Sequence, residues 1–192
     1  MTQKTPRKQH LIDTALRLFN ERGYHATGID LILAESGVSK ATLYKHFASK
    51  EALILAVLEQ RHRQLIEALQ QQLSADPRPE GVLAIFDMLD SWFQTVEFFG
   101  CNFIRASGEY SAAEDAIHRF SAGHKSEMGR QLERHLSAHC PEQSTQLAND
   151  LMLLVDGAIV TAQMHNAKDA AKRARQIAQM LLVDARCMGR TE

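Results

Sequence analysis

Apolar residues recur along this chain with the period of helices, and no stretch alternates as a strand does. Leu11, Ile12, Ala15, Leu18 and Phe19 form a stripe at i, i+1, i+4, i+7 and i+8, which predicts an amphipathic helix. Thr5 and Pro6 supply its start, a capping hydroxyl followed by proline at the first helical position. Gly23 ends it, with Tyr24 folding back on the last turn. Ile29, Ile32 and Leu33 predict a second, short helix, capped by Thr27 with Asp30 three residues on and stopped by Gly37 in a left-handed conformation. Ser39 caps a third helix from Lys40 to about Phe47, in which Leu43 and Phe47 share one side. Ser49 caps a fourth that begins at Lys50 and runs past Leu73. Its Leu53, Ile54, Val57 and Leu58 close an N-terminal core, and Leu65, Ile66, Leu69 and Leu73 carry the stripe onward. Asp76 to Gly81, with two prolines, breaks the pattern and is the clearest linker.

Beyond the linker, helices are predicted over Val82 to about Phe98, Cys101 to Tyr110 and Ala112 to about Ala138, with His139-Cys140-Pro141 as the next break. Thr145 to about His165 is apolar on more than one face. Leu147, Leu151, Leu154, Ala158 and Ala162 make one stripe, which Met152, Val155, Ile159 and Val160 widen. A helix apolar nearly all round is buried on two sides, and in a domain this small a second subunit supplies the other side, with Gly157-Ala158 allowing close approach. A last helix from Lys168 to about Cys187 turns Ala170, Ala174, Ile177, Leu181 and Leu182 inward. The class is all-α: an N-terminal three-helix unit over residues 1–50 and a larger helical domain over 51–192. The helix from Lys50 to Leu73, shared by both, is the candidate lever between them.

Charge sharpens this division. The chain of 192 residues has a net charge of −1. Residues 1–50 hold eight basic against four acidic side chains, net +4, which leaves −5 for the other 142. A basic first part on an acidic body points to a polyanion as the partner of the first part only. Three widely spaced cysteines, Cys101, Cys140 and Cys187, fit neither a disulfide framework nor a zinc ribbon, and fit a reduced cytoplasm. The N-terminus lacks the long apolar run of a signal peptide. Leu147 to Ala162, interrupted by Asn149, Asp150 and Asp156, falls short of the roughly 20 residues of a membrane span, so no membrane partner is expected.

The outer side of the third helix carries Lys40, Ala41, Thr42, Tyr44, Lys45 and His46, with donors, aromatic rings and positive charge but no acid. Such a face suits a DNA major groove. The run Gly37-Val-Ser-Lys-Ala-Thr-Leu-Tyr-Lys-His-Phe-Ala-Ser-Lys-Glu-Ala-Leu53, with Phe19, Gly23, Tyr24 and Thr27 upstream, resembles the DNA-binding domain of tetracycline-repressor-type (TetR/AcrR) regulators. Its Leu-Tyr-x-His-Phe core followed by Ser-Lys-Glu is far more specific than a generic helix-turn-helix. The resemblance implies about nine helices, the last two forming a four-helix dimer interface. It also implies that Lys40, Ala41, Thr42 and Tyr44 approach bases or the sugar-phosphate edge, while Thr27, Ser39, Tyr44, His46 and Lys50 bind phosphate, with Lys45 on the same face. Against this, Thr27 and Ser39 could only cap, and Tyr44 and His46 only pack. Lys4, Arg7 and Lys8 are either a phosphate-reaching arm or a solvated basic tail.

The larger domain is rich in aromatic residues: Phe86, Trp92, Phe93, Phe98, Phe99, Phe103 and Phe120, with Met128. They serve as plain core, or line a cavity for a mostly apolar small molecule. Asn102, Arg105, Glu109, Tyr110, Gln163 and His165 are the candidate polar groups for such an effector. Cys101, with Arg105 one turn on, is either a sensor thiol or a buried, inert one. His135 and His139 stand one turn apart beside Cys140, with His118 and His124 upstream, but they lack a His-Glu-x-x-His pattern. Neither a nucleophile elbow nor a glycine-rich phosphate loop is present, so a hydrolase reading is weak and no cofactor is expected. The expectation is therefore a dimeric, ligand-released repressor on a near-palindromic double-stranded operator. A DNA-binding adaptor driven only by protein partners is the alternative that keeps the same N-terminal chemistry.

Overall fold

The computed structural model describes residues 6–185 and 187, so the expectations for Lys4 and Thr5 lie outside the described residues. The described residues form nine α-helices and no strand: α1 Arg7–Arg22, α2 Ile29–Ser36, α3 Lys40–His46, α4 Lys50–Ala75, α5 Ala84–Phe93, α6 Asn102–Glu109, α7 Ala116–Ser137, α8 Ser144–His165 and α9 Ala170–Asp184. A 3-10 turn over Pro79–Leu83 leads into α5. The chain divides into two compact units, Met1–Arg63 with Cys101–Gly123, and Gln64–Gly100 with His124–Glu192. The first unit thus reaches past residue 50 and includes α6, half a chain away in sequence.

In the first unit the apolar stripe of α1 is buried as its spacing requires: Leu11, Ala15, Leu18 and Phe19 are inaccessible, together with Ile32, Leu43, Leu53, Ile54, Val57 and Leu58. Polar ties pin the helices around this core. Gln60 of α4 accepts from Gln9 at 2.6 Å and donates to Asp13 at 2.9 Å. Arg17 meets Glu35 of α2 at 2.7 Å, and this hydrogen bond raises the guanidinium pKa. The turns behave as their residues dictate. Gly37 adopts φ 63° and donates to Leu33 O at 2.9 Å, a left-handed stop that only glycine takes without cost.

In the second unit α8, α9 and α5 pack together. The α8 stripe Leu147, Leu151, Ala158 and Ala162 and the α9 residues Ala170, Ala174, Ala178 and Leu182 are all buried within the chain. At 22 residues α8 exceeds the expected apolar stretch and is long and apolar enough, by length and composition, to cross a membrane. Packing of its buried stripe inside this unit accounts for part of that apolarity, while Leu153, Val160 and Met164 stay exposed.

Two expectations are corrected here. The helix expected to reach Phe98 stops at Phe93, and Thr95 and Phe98 hydrogen-bond back into a turn. The ring of Phe98 then packs against Trp92 and Phe93, with centroids 4.8 and 4.7 Å away. The second correction concerns the cysteines. Cys140, between α7 and α8, is disulfide-bonded to Cys187, just beyond α9, with Cα atoms 5.3 Å apart. Sequence spacing conceals the pair because 47 residues separate the two thiols, and only the antiparallel return of α9 along α8 brings them within bridging distance.

Candidate nucleic-acid interface

Helix α3 follows a tight turn after α2 and is started by Ser39, whose hydroxyl accepts from Thr42 N at 3.2 Å. Leu43 and Phe47 are buried on the inner side. The burial pattern leaves Lys40, Ala41, Tyr44, Lys45 and His46 exposed on the outer side and Thr42 half-exposed. Tyr44 keeps 46% of its surface accessible. An acid reaches this face from α2: Asp30 lies 4.0 Å from Lys40 Nζ, both groups mostly exposed. An ion pair that loose and that solvated contributes little, so Lys40 remains available to an anion.

Lys50 opens α4 beside this face. Its ammonium donates to His25 O at 3.3 Å, and burial lowers its pKa. Ser49 caps α4, accepting from Ala52 N at 3.2 Å. Lys8 of α1 lies over the Phe47 ring, 5.8 Å from its centroid.

Thr27 departs from expectation. It is fully buried, its hydroxyl donates to Gly23 O at 2.7 Å, and Leu18 O lies at 3.3 Å. The residue at the α2 N-cap is Gly28, with no side-chain cap. Thr27 therefore closes the α1–α2 turn from inside, and its side chain is neither a cap nor exposed to phosphate.

The expected effector set is split between the two units. Cys101, Phe103, Arg105, Glu109 and Phe120 lie in the first, and Phe86, Trp92, Phe93, Gln163 and His165 in the second. Phe86, Phe93 and Phe103 are buried core. Cys101 is a free, half-buried thiol, Phe120 stacks edge-on to His62 at 5.8 Å, and Gln163 and His165 are exposed. Two open grooves, of about 400 and 330 Å³, are lined by Glu67, Gln70, Gln71 and Ser74, and by Gln70, Leu73, Ser74, Gln131, Arg134 and His135. Neither holds a residue of the expected set.

Arg105 and Glu109 are corrected most sharply. Arg105 Nη1 donates to Phe19 O at 3.0 Å and Asn20 O at 2.6 Å, carbonyls in the last turns of α1. Glu109 accepts from Tyr24 N at 2.9 Å and from His25 N at 2.6 Å. Asn102, on the same face of α6, donates to Asn20 Oδ1, and its carbonyl accepts from the Tyr24 hydroxyl at 3.2 Å. Burial pushes that phenol above its ordinary pKa. These polar side chains face the last turns of α1 and the following turn, Arg105 and Glu109 meeting backbone and Asn102 the Asn20 side chain, so they are committed to protein partners. Their spacing of three and four, 102, 105 and 109, was the available signal: it marks one polar helix face, although not what that face meets.

The histidines are likewise committed to backbone. His135 and His139 lie 2.7 Å from Arg78 O and Pro77 O, and His118 lies 3.0 Å from Tyr110 O. Among the described residues no three His, Cys, Asp or Glu side chains gather as a metal site.

The residues expected at a dimer interface differ in exposure. Leu147, Leu151, Ala158, Ala162 and Ala174 are buried within the chain, Leu154 and Leu181 are half-buried, and only Ile177 is exposed, at 48%. The apolar residues that α8 and α9 leave in solvent are Leu153, Val160, Met164, Ile177, Met180 and Val183. Five of the eight residues expected at a dimer interface are therefore packed inside the chain itself.

Short helices joined by a turn, with the last one capped, basic and outward-facing, define a helix-turn-helix protein carrying a second helical unit. Residues 11–57 match the model of the tetR family of bacterial regulatory proteins. It is 40% identical over 89 residues to the HTH-type transcriptional activator FasR of Mycolicibacterium smegmatis, covering 44% of this chain and 41% of that one. It is 30% identical over 114 residues to the HTH-type transcriptional repressor DhaR of Mycobacterium sp. strain GP1, covering 59% and 57%. The chain thus spans from about two-fifths to under three-fifths of the length of these curated relatives. A TetR-family transcriptional regulator from Streptomyces coelicolor aligns over 93% of this chain and 95% of its own, with TM-score 0.87 and 28% identity. Escherichia coli NemR in its reduced form, at 22% identity, TM-score 0.82 and coverage of 91% and 95%, shares the fold.

Proposed function

We propose that this chain is a cytoplasmic, homodimeric, DNA-binding transcriptional regulator that places α3 in the major groove of a near-palindromic operator, and that a small apolar or amphipathic molecule releases it. One observation carries the reading: α3 turns Leu43 inward, with Phe47 buried at its end, and leaves Lys40, Tyr44, Lys45 and His46 outward. Side chains on such a helix reach base edges, while Lys50 and the flanking turns reach phosphate. Two recognition helices would stand one DNA turn apart or a multiple, about 34–36 Å. The second copy would dock on the exposed α8–α9 face, Leu153, Val160, Met164, Ile177, Met180 and Val183, where exposed Gly157 lets backbones approach.

Repression is the sign we favour for a ligand-released protein, although the relatives named above include both an activator and a repressor. An effector acts by preferring one subunit arrangement, typically by about 1–3 kcal/mol, and α4 is the proposed lever. The alignments to these curated relatives span 44% and 59% of this chain, so they do not carry an effector across.

The test is selection of duplexes from a random pool by the purified chain, followed by a gel shift on the winner. Enrichment of an inverted repeat is expected, and Tyr44→Ala should weaken binding by about 1–3 kcal/mol. No enrichment above input in dilute salt refutes the reading.

A further inference from the structure

The DNA-reading face is built on α2, α3 and the start of α4, yet the turn that leads into it is held by α6. Glu109 receives the N–H groups of Tyr24 and His25 on its two carboxylate oxygens, at 2.9 and 2.6 Å. Its second oxygen also lies 3.4 Å from His25 Nδ1. Gly23, at φ 91°, passes so close that a Cβ there would stand 2.9 Å from Glu109 Oε1. The same turn accepts Lys50: its ammonium donates to His25 O at 3.3 Å, on the peptide group next to the one Glu109 grips. Thr27 closes the turn from inside on Gly23 O. The path from Glu109 to the Lys50 ammonium is therefore two hydrogen bonds and one residue of backbone, all within the first compact unit.

We propose that Glu109 is a positioning residue for DNA binding, which sets the Gly23–His25 turn and through it the Lys50 ammonium without touching the duplex. The inference rests on the DNA-binding reading above. A carboxylate suits the task because it presents two acceptors to two adjacent backbone donors, and a charged acceptor makes such bonds short and strong. A glutamine offers one oxygen and turns an NH2 group toward an N–H.

Positioning and simple electrostatics predict opposite signs. An acid near bound phosphate repels it, so neutralising Glu109 would tighten binding if charge alone mattered. If Glu109 positions Lys50, neutralising it weakens binding and removes one phosphate contact.

The experiment measures affinity of full-length wild type, Glu109→Gln, Lys50→Ala and the double variant for one selected duplex, by fluorescence anisotropy across a salt series. Thermal unfolding of each variant confirms that it is folded at the assay temperature. The expected result for Glu109→Gln is a tenfold or greater loss, with the slope of log K against log salt reduced by about 0.9, the value of one phosphate contact. In the Lys50→Ala background the same change should leave the slope unaltered. Unchanged or tighter binding by Glu109→Gln, or slope changes that add in the double variant, overturns the inference and leaves the DNA-binding reading standing. A wild-type chain that binds no duplex overturns both. Should Glu109→Gln not fold, Glu109→Met, equally uncharged and of similar length, replaces it under the same criteria.

Discussion

Thr27 separates a residue that touches DNA from one that only holds the fold. It is fully buried, and its hydroxyl donates to Gly23 O at 2.7 Å. Thr27→Val keeps the shape of the side chain and deletes the donor, leaving a carbonyl of a buried turn without this bond. Such an orphaned group costs about 1–3 kcal/mol. For a chain of this length each kcal/mol lowers the melting temperature by roughly 2–4 °C, so a fall of roughly 2–12 °C is expected. Thr27→Ser keeps the hydroxyl and loses one buried methyl group, a change of about 1 kcal/mol. Circular dichroism melts of wild type and both variants give these numbers. Anisotropy on a selected duplex, well below the melting range, gives the DNA affinity. A Thr27→Val protein that melts like wild type but binds DNA tenfold more weakly would refute the structural assignment and return Thr27 to the phosphate-binding set.

The disulfide closes a loop between residues 47 apart, for which the chain-entropy relation gives about 4 kcal/mol; reductant should lower the melting temperature of wild type but not of Cys140→Ser, and three free thiols in the unreduced, unfolded protein would contradict the bond. Met180→Glu, on the exposed α9 face, should shift the protein toward monomer in light scattering, whereas Leu151→Ala, on the buried face, should cost about 2–5 kcal/mol of stability and leave the dimer intact; the reverse pattern would restore the inner stripe as the interface. Glu127 is held below its ordinary pKa first by Arg130, and Glu51 by its own backbone N–H and the Ser49 hydroxyl. A depressed folded pKa means that the stability these carboxylates contribute is complete above the unfolded value, about 4.3, and is lost as pH falls through the lower folded values. Acid melts of Glu127→Gln should therefore show a shallower decline below about pH 4.3 than wild type, and an equal slope would remove Glu127 from that account.

Much of this protein is legible in the sequence because it is local. The α1 stripe, the Gly37 stop, the Ser39 and Ser49 caps and the outward face of α3 each depend on residues within a turn or two of one another, and helical geometry converts such spacings directly into faces. The turn and capped helix carry the family resemblance, so the candidate interface could be read off before any fold was known. What remained hidden depends on contacts between segments distant in sequence. Arg105 and Glu109 are plausible as pocket residues by type alone, and only the placement of α6 against the end of α1 turns them into a clamp on backbone. Cys140 and Cys187 are unremarkable as spaced, and become a pair when α9 folds back along α8. The two apolar faces of α8 are equivalent to any periodicity argument; which one meets the chain's own helices, and which stays exposed, is decided by packing that no single helix contains.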